Sequence, residues 1–254
     1  MTIKSLENFQ KFVGGFSANE KWIFRGQYSS KWFLRPQAGR PRYSVITKTA
    51  GQPGNELSAD FERFEEWRKL AKEVFHDLPN NDFECLAFAQ HYGLVTRLLD
   101  WTKDPLVALY FAVQHKKTQK PTDGVVFAHK TKFLIKQKFA QFSTPELGYD
   151  FCVLEPEVLN PRVIAQKGLF TYHKNPWADM RQAAQNDVLK YVVIAHGRKK
   201  QISEQLRETG YSKQTMFPDI ETISKKVNRE TRRMAKKLQR IEETTFRIPW
   251  KDDA

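Results

Sequence analysis

The stretch LAFAQHYGLVTRLLDWTKDPLVALYFAV, residues 86–113, decides how this chain is read. Nearly all of it is apolar, yet His91, Tyr92, Arg97, Asp100 and Asp104 sit in its middle. Charged side chains are seldom buried without a partner, and an unpaired buried charge generally neutralises. The block therefore carries either a satisfied polar cluster or one wall of a site. Its patterning predicts a helix over 83–92, apolar on nearly every side, with Gly93 placed to cap it. Asp104-Pro105 then supplies an N-cap and a first-turn proline for another all-apolar helix, LVALYFAV.

On the N-terminal side, residues 1–20 contain a short helix that ends at Gly14-Gly15. WIFRGQ, residues 22–27, reads as a strand with Arg25 near its end and a glycine after it. Six Gly and Pro residues between 36 and 55 mark a long loop of the kind that often binds ligands. From 56 to 78 the apolar positions recur every three or four residues, an amphipathic helix. On the C-terminal side, strands are expected over 124–129, 151–154, 163–170 and 191–195. A short helix is expected over 201–209, and a final one from 220 to about 241 with a narrow heptad-like apolar stripe. Helices first and mainly strands later give an α+β class rather than a regular βαβ alternation. The expected architecture is an N-terminal strand and helical part followed by a mainly antiparallel sheet. The division is a globular domain over 1–228 and a basic helical extension over 229–254.

The chain has 254 residues, enough for a sizeable core, and 40% hydrophobic residues with 19 Phe and 6 Trp. No apolar run approaches the roughly 20 residues that span a bilayer, and no leader pattern opens the sequence. The expectation is a cytoplasmic protein without a membrane partner. Cys85 and Cys152 lie far apart and form no metal-ligand spacing. They read as buried reduced thiols, and no metal is expected. The net charge is +13, and KKVNRETRRMAKKLQR, residues 225–240, contributes seven of it. The charge suits a polyanion or a phosphate-rich ligand. The tail helix itself fits either docking on a partner protein or contact with nucleic-acid phosphates.

Several residues have the chemistry of a site. Arg25 can present its planar fork to a phosphate or carboxylate, or form a structural ion pair. His91, at a helix end, can act as an acid or base or simply satisfy a carbonyl. Arg97 and Asp100 are three apart, so a helical segment would place them on one face as a pair. Strand alternation would put Gln166 with Arg162 and Gly168 on an inner face, leaving room for a ligand. Phe170 and Tyr172 are candidate stacking platforms. Glu155 and Glu157 are the nearest carboxylates for sugar hydroxyls. A phosphate-binding glycine loop, HExxH, GxSxG and DxD are all missing from the sequence, so the classical hydrolase readings lack support.

The chain resembles the FRG-domain family of bacterial and phage proteins. The resemblance is carried by Phe24-Arg25-Gly26-Gln27, by Ala89-Gln90-His91-Tyr92-Gly93, and by Thr96-Arg97-Leu98-Leu99-Asp100-Trp101-Thr102. Pro105-Leu106, Ala108-Leu109-Tyr110-Phe111-Ala112, Arg162 with Gln166, Gly168, Leu169 and Phe170, and Met216-Phe217-Pro218-Asp219 extend it over roughly 20–227. Val95 departs from the family pattern, which has proline before Thr-Arg. The resemblance implies an effector of bacterial or phage conflict, a toxin or an anti-phage defence protein. An early aromatic-Arg-Gly strand followed by helices and then strands is also similar to ADP-ribosyltransferases. That likeness implies NAD as cofactor and cleavage of its nicotinamide–ribose bond. Arg25, His91, Gln166 and Glu155 would be catalytic, and Arg25, Tyr92, Arg97, Asp100 and Phe170 would bind the dinucleotide. A nucleic-acid-binding or nucleolytic protein and a non-catalytic nucleotide sensor are the other readings the residues allow.

Overall fold

Alternation along β2, Trp22–Gln27, sends Ile23, Arg25 and Gln27 to one face of a sheet and Phe24 and Gly26 to the other. The computed structural model describes residues 1–17, 19–43, 59–114, 120–131, 134–135, 151–157, 160–183 and 188–218, with 228, 231 and 233. Within these, β1 (Thr2–Ile3), β2, β3 (Leu98–Thr102), β4 (Gly124–Lys130), β5 (Leu134–Ile135), β6 (Phe151–Leu154), β7 (Gly168–His173) and β8 (Leu189–Ile194) form one sheet. Its strand order is β1-β8-β4-β2-β3-β7-β6-β5. The pairing is antiparallel except at the two rims, β1–β8 and β5–β6. The mainly antiparallel α+β expectation holds.

Both faces are covered. Phe24, Val126, Ala128, Val192 and Ile194 pack with α1 (Leu6–Gly14), α4 (Pro105–Val113) and α7 (Lys199–Glu208). On the same face, across the sheet, Leu98, Cys152, Leu154 and Phe170 pack with α2 (Ala59–Val74) and α3 (Asp82–His91). The opposite face carries Ile23, Leu99, Trp101, Val125, Phe127 and Leu169 under Leu34 and Met180. No helix among the described residues is long and apolar enough to cross a membrane.

The two halves of the sheet barely join. β2 pairs with β4 through six consecutive positions, but with β3 only at Phe24↔Thr102. Beyond that position β2 and β3 part, and the sheet opens. Gly26 is fixed by the neighbouring helix: a Cβ there would lie 1.7 Å from the Ala108 carbonyl oxygen of α4. The Phe-Arg-Gly run thus has a division of labour. Phe24 anchors the core, Gly26 lets α4 lie against the backbone, and Arg25 points the other way.

Three expectations need correction. The segment after Gly93 is not helical: β3 begins at Leu98, and Arg97, one residue before it, pairs with Asp60 of α2 instead of with Asp100. Residues 163–165 belong to α5 (Pro161–Ala165), which Asn160 caps by accepting from the Val163 N–H at 2.9 Å. The strand begins only at Gly168, after Lys167 turns the chain with a left-handed φ of 45°. Gln166 is therefore the C-terminal cap of α5 rather than a strand residue. α6 (Met180–Ala183) and α8 (Lys213–Met216) are short elements without a periodic signal. Most of the basic tail, and with it the expected helix over 220–241, lies outside the described residues, as does the 44–58 part of the long loop.

Candidate functional site

The charges of the central block separate into two groups. Asp104 caps α4 through the Leu106 N–H at 2.9 Å and accepts from Lys167 Nζ at 2.8 Å and Tyr211 O–H at 3.0 Å. Arg97 forms a fork on Asp60 of α2, Nε to Oδ2 at 2.8 Å and Nη2 to Oδ1 at 3.0 Å, and also donates to the Tyr172 hydroxyl. Burial works against its charge, and Asp60 and Tyr172 together more than offset it, raising its pKa. These two groups hold the fold together.

The remaining polar residues of the block face a cavity of about 430 Å³ where the sheet opens, within the size range of small-molecule sites. Arg25, His91, Tyr92, Asp100, Gln166 and Phe170 all line it. Alternation alone would put Arg25 on the far face of the sheet from Asp100 and Phe170. The parting of β2 and β3 lets its guanidinium reach through. Nη1 of Arg25 donates to the Asp100 carbonyl, and the Asp100 carboxylate lies 3.5 Å from the same nitrogen. The Arg25 side chain is largely buried, and its Nε has no hydrogen-bond partner among the described residues. Burial lowers its pKa, Asp100 opposes that, and nearby Arg40 adds to it. A guanidinium stays charged nonetheless, so the pocket holds a cation in want of acceptors.

Asp100 is held from a second side. Gln90 donates to Asp100 Oδ1 at 2.8 Å, and its own amide oxygen accepts from Thr96. The second carboxylate in the wall, Glu84, accepts from the Glu157 N–H at 2.8 Å. Against these two acids stand Arg25, Arg40 and Arg162. Arg40 forms no ion pair among the described residues, and Arg162 lies over the Phe217 ring at 4.9 Å. Gln166 donates to the Met216 carbonyl at 2.8 Å, while its own carbonyl accepts from Thr102 at 2.6 Å. Tyr92 is exposed at the rim beside Phe88, with ring centroids 4.8 Å apart. The excess of fixed arginine charge in a concave, partly apolar wall suits an anionic ligand with a flat group.

Arg97 and Glu155 do not line this cavity. Arg97 is committed to Asp60, and Glu155 pairs with Lys103. Arg40, Glu84 and Gln90 complete the wall without having been singled out from the sequence. Arg40 lies in a loop without periodicity, and Gln90 is visible only as part of the Ala89–Gly93 motif. No group of three or more potential metal ligands gathers among the described residues. Cys85 and Cys152 are buried, and burial pushes the Cys152 thiol up to about 12, so both are inert packing groups.

Residues 20–121 match the family model of the FRG domain. That span includes Arg25, Arg40, Glu84, Gln90, His91, Tyr92 and Asp100, whereas Gln166 and Phe170 lie beyond it. No curated protein and no solved structure gives a significant match to the chain.

Proposed function

We propose that this FRG-domain protein binds a phosphate-bearing nucleotide at Arg25 and consumes NAD as an ADP-ribosyltransferase-like effector of bacterial and phage conflict. The observation that carries this reading is the placement of Arg25. It is a largely buried guanidinium, short of acceptors, in the gap between two half-sheets and open to a cavity of about 430 Å³. Arginine binds phosphate oxygens in a fork, and a water-poor wall strengthens the bond. Arg40 and Arg162 add charge at the same cavity, and Tyr92 and Phe170 offer ring faces.

The chemistry asks little covalent work of the protein. The C–N bond between the ribose and nicotinamide breaks, the electron pair stays on the ring nitrogen, and an acceptor oxygen or nitrogen bonds to the sugar carbon and loses its proton. What the protein supplies is position and field. Arg25 and Arg40 hold the phosphates, and the Asp100 carboxylate, fixed by Gln90 and Arg25, offsets the positive charge that develops on the sugar. Incubation with NAD and chromatography of free nicotinamide tests the reading. Release by the wild type that is lost in Arg25→Ala supports it. Absence of release with water, protein, RNA and DNA as acceptors refutes it.

One observation favours a second reading, a nucleotide sensor without turnover. Both carboxylates in the wall, Glu84 and Asp100, already accept hydrogen bonds from protein donors. Saturable calorimetric binding of NAD or ADP-ribose with no product over hours would establish the sensor instead.

A further inference from the structure

Between Glu20 and Glu56 the sequence holds seven Lys and Arg and no carboxylate. Four of these cations, Lys31, Arg35, Arg40 and Arg42, fall in the loop from Ser29 to Tyr43, and none of the four forms an ion pair among the described residues. The loop also exposes two large rings, Trp32 at 43% and Phe33 at 52%. Scattered exposed rings need no explanation, but these two stand among cations that no acid of the loop balances. The loop is not slack. Leu34 is fully buried, its N–H donates to Asp179 Oδ1 at 3.1 Å, and its carbonyl accepts from the Met180 N–H at 2.9 Å. A Cβ at Gly39 would lie 1.6 Å from the Pro176 carbonyl oxygen. Rings and cations are thus presented from a fixed backbone, so little order remains to be imposed on binding. The Arg35 guanidinium lies 4.6 Å from the Phe33 ring centroid and donates to the Trp177 carbonyl, which brings no counter-charge. Arg181 reaches the same ring, but Asp179 neutralises it. Trp32, Arg40 and Arg25 line a second cavity of about 160 Å³, and both arginines also line the larger one. Burial lowers the Arg40 pKa, Asp100 opposes this and Arg35 adds to it, as Arg40 does for Arg25. Arg35, Arg40 and Arg25 therefore form a file of mutually repelling cations from the exposed loop to the cavity mouth. Asp100, at its inner end, is already held by Gln90 and Arg25.

We infer that the loop from Ser29 to Tyr43 is a binding surface for single-stranded nucleic acid, with phosphates on Lys31, Arg35, Arg40 and Arg42 and a base stacked on Trp32. Charge selects a polyanion. Four cations spread along one loop suit a run of phosphates better than a single one, and binding a polyanion relieves their mutual repulsion. The rings select the kind of polyanion. Bases of a single strand have free faces that stack on aromatic side chains, whereas those of a duplex are stacked on each other. An acidic peptide would balance the cations and leave Trp32 unused. Tyr28, with its ring centroid 6.2 Å from that of Trp32, backs the platform. Because Arg40 borders both cavities, a strand on this surface reaches the mouth of the larger one. The inference stands whether or not that cavity turns NAD over.

Fluorescence anisotropy with a labelled strand of about 12 thymidylates, within the length such surfaces cover, tests the inference across a salt series. The wild-type chain should bind, with affinity falling as salt rises. Lys31→Gln with Arg42→Gln removes two phosphate contacts and should flatten the log–log salt slope by about 1.4. Trp32→Ala should bind the strand about 10-fold more weakly at an unchanged slope, the loss of one base stack. It should leave affinity for the duplex of the same strand within about 2-fold. All three positions are exposed, and circular dichroism confirms the fold of each variant. No binding by the wild type overturns the inference. Unchanged affinity and slope in both folded variants overturn it too, assigning the strand to other basic residues. Equal losses for strand and duplex in Trp32→Ala overturn the single-stranded assignment. Polyaspartate that displaces the strand from the wild type at equal charge concentration overturns it in favour of an acidic protein partner. The binding and displacement measurements need no variant, so a variant that fails to fold does not shield the inference.

Discussion

Arg25 donates to the main-chain carbonyl of Asp100 while the Asp100 carboxylate lies 3.5 Å from the same nitrogen. The two residues belong to adjacent strands, yet the strands pair only at Phe24↔Thr102. The side chain thus bridges the gap where two main chains have stopped bonding. It spends one nitrogen on that bridge and leaves Nε unmet. An ion pair that served only stability would place its carboxylate against the whole fork, as Asp60 does for Arg97.

Substitution of Arg25 should therefore separate binding from stability. Arg25→Met removes a buried charge, and buried ion pairs contribute little net stability compared with apolar groups of similar size. The Asp100 carboxylate left behind is 66% exposed and stays solvated. The expected outcome is an unfolding midpoint within about 1 kcal/mol of wild type and nucleotide affinity reduced about 100-fold, the scale of two charge-assisted hydrogen bonds. Arg25→Lys keeps the charge without the fork and should lose about 10-fold. Urea denaturation and calorimetry measure both. A strongly destabilised Arg25→Met with unchanged affinity would assign Arg25 to the fold alone.

Gly26 carries the opposite prediction. An added Cβ would meet the Ala108 carbonyl at 1.7 Å and the Ala112 nitrogen at 2.8 Å, both main-chain atoms that cannot rotate away. Either α4 lifts from the sheet or β2 shifts. Gly26→Ala should cost about 3 kcal/mol, at the upper end for overpacking. Unaltered stability in a denaturant titration would mean that β2 and α4 are not in this contact.

The strand, the buried helices and part of the cavity wall were legible because they are local. Asp104-Pro105 encodes a helix start by itself, and WIFRGQ alternates within six residues. Arg25, His91, Tyr92 and Asp100 lie within recognisable motifs. What periodicity could not encode is which face a side chain reaches once a sheet opens. Arg25 lines the cavity only because β2 and β3 part, and that is a property of two strands together. The Arg97–Asp100 pair was misread because a three-residue spacing makes neighbours on a helix, whereas here a bend at Arg97 leads into the strand that holds Asp100. Asp60, the true partner, is 37 residues upstream. Gln166 was misplaced because the PRVIA helix that it caps is only five residues long, too short to show a 3.6-residue period.

Arg97 and Asp60 form the kind of buried pair whose rupture is costly. The side chains are 14% and 4% exposed, and the arginine also donates to Tyr172 and to the Lys174 carbonyl. Arg97→Met would leave the Asp60 carboxylate buried without its counter-ion, at a cost of about 3–5 kcal/mol. Asp60→Asn with Arg97→Met should recover part of this, because neither charge then remains. Thermal unfolding of the single and double variants measures the coupling. Strictly additive losses would show that the two side chains do not depend on each other.

The face opposite the helices carries a pH dependence. His129 and His173 are buried, and burial lowers their pKa values from 6.5 to about 4 and about 3, with Arg25 adding to the effect on His173. His173 Nε2 lies 2.8 Å from the Thr171 hydroxyl, which accepts from Trp101 Nε1 at 2.9 Å. Thr171 is thereby free to donate to an unprotonated ring nitrogen, which suits a neutral imidazole. The unfolded chain takes up protons near pH 6.5 that the folded chain refuses until about 4 or below. The stability from these rings is complete above pH 6.5 and falls as the pH drops from there toward 4. Each ring contributes a slope of up to about 1.4 kcal/mol per pH unit. His173→Gln, which retains a donor and an acceptor for Thr171, should remove about half of that combined slope. Urea denaturation of both proteins from pH 7.5 to 4.5 isolates the difference, since the carboxylates they share contribute equally. Parallel curves would show that His173 is protonated in the folded protein.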